Sequence, residues 1–110
     1  MLLFVCLCGN AQSKQEAVRP VKRVVNAYDI MGENEAQNRS YGVFMRIPSI
    51  SSGVYTLKKG ATDRQTPHTK DEIYYIIKGK ARIAVGTETY DVKEGSLVFV
   101  EAHKEHHFSI

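Results

Sequence analysis

At 110 residues the chain has room for one domain around one hydrophobic core. Its 43% hydrophobic and 25% charged residues are ordinary for a globular protein, which sets aside fibrous and disordered classes. Fifteen basic against 12 acidic residues leave a net charge of only +3. The basic residues are scattered and form no helix-borne stripe with interleaved aromatics, so nothing favours a nucleic-acid partner.

The first segment, Met1 to Cys8, is apolar, and Gly9, Asn10 and Ala11 supply small residues where a signal peptidase reads. Residues 1–11 are therefore expected to be an export signal cleaved before Gln12, giving a periplasmic or secreted protein. The competing reading is a retained apolar tail packed at an edge, in a cytoplasmic protein. The stretch is too short to span a bilayer, so no stable membrane insertion is expected. Both cysteines, Cys6 and Cys8, lie here, and a processed chain would contain no disulfide and no reactive thiol.

Residues 12–40 read as an N-terminal arm and linker, with a short strand near Val21–Val25 and a loop from Met31 to Ser40. From Tyr41 onward strand signals are dense: Tyr41–Ile47 ending at Pro48, Gly53–Lys58, Glu72–Lys78, Lys80–Val85, Thr87–Val92, Ser96–Val100 and His106–Ile110. Gly79 is expected to be a tight hairpin turn between two of them. Short strands with turns every eight to twelve residues are the mark of an all-β sandwich or barrel, here over residues 41–110. Alternation in Ala81–Val85 leaves one side for solvent. Glu72–Ile77 is apolar on both sides apart from Glu72 and so reads as a strand covered on both faces. Glu72 is the anomaly: a carboxylate at the start of a buried strand needs a cation partner or a solvated mouth.

Thr66, His68 and Glu72 are separated by offsets of two and four, which would place them on one face of a strand. Downstream, a Glu94-Gly95 turn and the apolar strand Ser96–Val100 lead to His103, His106 and His107. Taken singly, His68 reads as a loop histidine and Glu72 as a solvated strand end. Taken together they point to a metal held inside a small barrel. His107 has the opposite parity to His106 and is expected on the outer face, whereas His103, in the preceding turn, competes with His106 for the third place.

These residues carry a family resemblance. Gly60, His68, Glu72 and Gly79 fall at the spacing of the first cupin motif, G-x5-H-x-H-x3-E-x6-G, with Thr66 where the family has its first histidine. The run from Glu94 to Phe108 resembles the second motif, with Lys93 and Glu101 in place of prolines, His103 in place of a glycine, and His106 as the metal-type histidine. The resemblance covers roughly residues 42–110. It implies a double-stranded β-helix, or jelly-roll, barrel, where one or two further strands would follow His106: the barrel is short of a C-terminal strand, the sequence is truncated, or a second subunit supplies the edge. It also implies one divalent metal (Fe, Mn, Zn or Ni) on His68, Glu72 and His106, with the remaining position left to water, substrate, Gln65 or Thr66. The cavity would bind or act on a small organic acid or sugar. In an enzyme this would be dioxygenase, isomerase or lyase chemistry with Tyr74 orienting substrate or donating a proton; the alternative is a non-catalytic ligand- or metal-binding module. An open strand edge further implies a homodimer.

Overall fold

A computed structural model describes the backbone of strand Leu2–Gly9 and residues 22–110. Among the described residues eight strands and one helix follow in chain order: β1 (Leu2–Gly9), α1 (Ala27–Ala36), β2 (Tyr41–Ile47), β3 (Ile50–Leu57), β4 (Asp71–Lys78), β5 (Lys80–Val85), β6 (Glu88–Lys93), β7 (Leu97–Val100) and β8 (His106–Ser109). They form two antiparallel sheets, one in the order β2-β3-β1-β4-β7 and the other β6-β5-β8. The fold is the mostly-β sandwich expected of the strand punctuation, in the jelly-roll form that the resemblance implies.

The core lies between the sheets. Leu57, Tyr74 and Ile76 from the larger sheet meet Ile83, Val92 and Phe108 from the smaller. Along β4 the burial alternates strictly, with Glu72, Tyr74 and Ile76 inward while Ile73 and Tyr75 stay 43% and 45% exposed. The doubly covered strand expected from its apolar composition is thus corrected: one face is buried, and on the other Ile73 and Tyr75 are open while only Ile77 is partly covered, against the Ile30–Val54 cluster. Gly79 also differs from expectation. It stands between β4 and β5, but these strands lie in different sheets and do not pair. With φ at +92°, a conformation that favours glycine, it turns the chain from one sheet into the other instead of closing a hairpin.

Helix α1 occupies part of the stretch read as arm and loop. Asn26 caps its start by accepting a hydrogen bond from the Tyr28 N–H at 2.8 Å. Ile30 packs against Val54 on the outer face of the larger sheet. Asn34, fully buried, donates to the Val54 carbonyl and to Thr56 Oγ1, both at 3.1 Å, and accepts from Arg39 Nε at 2.8 Å. The packed face of this helix is small and partly polar: Ile30 and Asn34 are buried, while Ala27 and Met31 are only partly covered.

The segment read as an export signal includes Leu2–Gly9, which as β1 sits between β3 and β4 and pairs with both. The cleavage point, at residues 10–12, lies outside the described residues; the short strand expected near Val21–Val25 is not formed over residues 22–25. Among the described residues no helix is long and apolar enough to cross a membrane.

Candidate metal centre

Three separate parts of the chain converge between the sheets. Glu72 is the second residue of β4, directly opposite Val100 of β7, and is 1% exposed. His106 opens β8 opposite Val85 and is likewise 1% exposed. His68 comes from the irregular segment between β3 and β4, so it shares no strand face with Glu72; parity on one strand is not what brings the two together. A loop contact does so instead. The His103 N–H donates to the His68 carbonyl at 2.6 Å, and His103 itself adopts φ +66° in the turn before β8.

The ligand-capable atoms of His68, Glu72 and His106 all lie within 4.8 Å of one another. His68 Nδ1 contacts Glu72 Oε1, and His106 Nε2 is 3.5 Å from that same oxygen. The other ring nitrogen of His106 is 3.0 Å from the Lys104 carbonyl. A carbonyl only accepts, so Nδ1 carries the hydrogen and Nε2 keeps its lone pair toward the cluster. Two imidazole nitrogens and a carboxylate in a buried pocket are a donor set that fits a divalent cation. The cluster could hold a metal ion.

Tyr74, two residues along β4 on the same face, is completely buried above these groups. Its hydroxyl oxygen lies 2.9 Å from His106 Nε2, 3.0 Å from Glu72 Oε2 and 2.9 Å from Gln65 Oε1. One hydroxyl hydrogen therefore serves three acceptors, an arrangement that favours a cation at the cluster. Thr66 is exposed and stands apart from the centre, as do His103, which is exposed, and His107, whose Nε2 faces Glu105 at 3.4 Å.

Sequence reasoning passed over Asp63. It is 7% exposed and accepts from the Tyr55 hydroxyl, the Gln65 N–H, Gln65 Nε2 and the Phe108 N–H. These partners come from β3, from its own loop and from β8, so no local spacing announces them. The one available signal was a carboxylate three residues past the Gly60 turn, between residues of the metal-type motif.

Two antiparallel sheets enclosing a His/Glu/His cluster define a small β-sandwich protein with a metal-capable centre. The comparison with known families agrees with that architecture: the cupin domain matches residues 53–110, and the chain belongs to the cupin family. A relative from Streptomyces coelicolor, an uncharacterised protein, is 43% identical over 84 residues, which cover 74% of this chain and 80% of the relative. No solved structure matches.

Proposed function

We propose that this cupin binds one divalent metal through His68, Glu72 and His106, and that a small organic acid or sugar completes the coordination inside the sandwich. The observation that carries the reading is the burial of Glu72 and His106 with three ligand atoms inside 4.8 Å. An ionised carboxylate there needs compensation, and a cation shared with two imidazoles supplies it. When bound, the metal acts as a Lewis acid toward a chelating ligand. Glu72 and the histidines hold it, and Tyr74, hydrogen-bonded to two of the three, orients the ligand or donates a proton.

An enzymatic version would be of dioxygenase, isomerase or lyase type. The non-catalytic binding module is favoured by one observation, that Thr66 is exposed where the family's first histidine would stand. A turnover screen of the metal-loaded protein separates the two. A homodimer is supported by β2 and β7, the end strands of the larger sheet, which have no further strand beyond them among the described residues. The apolar run and small residues of 1–11 support export to the periplasm or beyond; the place of Leu2–Gly9 in the sheet supports retention.

Elemental analysis of protein purified without a His-tag tests the central reading. The expected result is one Fe, Mn, Zn or Ni per chain, released on acidification because both imidazoles must be unprotonated to ligate. Metal-free protein that takes up none of these ions would overturn it.

A further inference from the structure

Where the end of β3, the last turn of α1 and residues 58–64 meet, a cavity of about 630 Å3 lies apart from the metal centre. Among the described residues three cations line it, Arg39, Lys58 and Arg64, against one carboxylate, Glu35. Lys58 and Arg64 make no ion pair and no side-chain hydrogen bond among the described residues. Asp63, next to Arg64, does not line the cavity; its oxygens are engaged by Tyr55, Gln65 and Phe108. Arg39 differs from the other two cations in being held in place. Its Nε donates to the Oδ1 of fully buried Asn34 at 2.8 Å, Nη1 to Gln37 at 2.9 Å and Nη2 to Glu33 at 3.4 Å. Those bonds use one N–H of each nitrogen and leave one on each Nη. Glu33 is 61% exposed, so water screens it and it offsets the guanidinium only weakly. Gly42 keeps the space for this arrangement, since a Cβ there would come 2.6 Å from Asn34 Oδ1 and 3.2 Å from Arg39 Nη2.

We propose that this cavity binds the phosphate group of a small phosphate monoester. Three positive charges against one negative leave +2 on the lining. The phosphate of a monoester carries about −1.5 to −2 at pH 7 and three strong acceptor oxygens. It therefore balances the lining, and two guanidinium forks and an ammonium suit its oxygens better than they suit a single carboxylate. Arg39 is the preset donor, because its remaining N–H groups are already oriented by Asn34. Lys58 and Arg64 supply the charge that has no partner within the protein. Glu35 opposes the anion and lowers its affinity. A phosphate group fills only part of the cavity, which leaves room for an organic body beside Leu57. The site shares no residue with the metal centre, and either can fail without the other.

The test titrates the full chain with ethyl phosphate and with ethyl sulfate at neutral pH and fixed ionic strength, followed by backbone amide shifts. The two probes share a shape, and the sulfate carries one charge fewer. Ethyl phosphate should shift the amides around Arg39 and residues 58–64, and bind about tenfold more tightly than ethyl sulfate, the effect of one further charge-assisted contact. Lys58→Ala and Arg64→Ala should each weaken it several-fold, and Glu35→Gln should tighten it. Lys93→Ala, which removes a lysine outside the cavity, should leave it unchanged. All four side chains are exposed, so the variants should fold, and thermal midpoints check this. No binding of ethyl phosphate, or equal affinity for both probes, overturns the proposal. So does binding that survives Lys58→Ala and Arg64→Ala unchanged, since the anion then sits elsewhere. An equal loss in Lys93→Ala would show general attraction to a cationic surface and overturns it as well.

Discussion

Tyr55 shows how a buried carboxylate reaches beyond its own hydrogen bonds. Burial first, and then the neighbouring Asp63, push its hydroxyl up from 10.0 to about 12. A group whose pKa is raised on folding contributes stability that is fully present below the unfolded value and is lost as pH rises through the folded value. Between pH 10 and 12 the protein should therefore lose stability more steeply than Tyr55→Phe does. Denaturant unfolding at stepped pH measures this, and parallel slopes for the two proteins would contradict it. Asn34 makes a comparable demand at the helix. Replacing it by alanine removes its bonds to the Val54 carbonyl, Thr56 Oγ1 and Arg39 Nε and should cost on the order of 2 kcal/mol in chemical unfolding; a loss too small to measure would mean α1 is held by its apolar contacts through Ala27, Ile30 and Met31.

Among the elements, β1 carries the largest consequence. Leu2–Gly9 pairs with β3 on one side and β4 on the other, so its removal would open two strand edges in the middle of the larger sheet. Its roles as strand and as cleaved signal make opposite demands. A chain lacking residues 1–11 should melt at lower temperature and self-associate; an unchanged midpoint would show that the strand adds nothing to the fold. Intact-mass analysis of exported and cytoplasmic material gives the matching answer, a chain starting near Gln12 or one retaining the first residues. The elements also show where sequence reading stops. Turn punctuation located the strands from Tyr41 to Ser109, and β4 shows the period-two burial behind such segments. Strand partnership is non-local, so Gly79 read as a hairpin although it is a corner between sheets. Helix α1 escaped notice because Asn34, a polar residue, does the work of a core anchor.

At the scale of the whole molecule, β7 at the edge of the larger sheet carries Leu97 and Phe99 at 72% and 60% exposure, beside the open face of Ile73 and Tyr75. Large apolar side chains on an unpaired edge invite association. Light scattering should give a dimer, and Leu97→Lys with Phe99→Lys should shift it toward monomer; a monomeric parent at high micromolar concentration contradicts the expectation. The centre was legible in outline because motif spacing survives in His68, Glu72 and His106. Its support was not legible, since Asp63 and Gln65 act through contacts that only the closed sandwich creates. The most direct test is metal stoichiometry across four variants. His68→Ala and His106→Ala should each strip most of the bound metal, whereas His103→Ala and His107→Ala should keep near one ion per chain. Metal that survives the first pair and vanishes with either of the second would contradict the assignment of the centre.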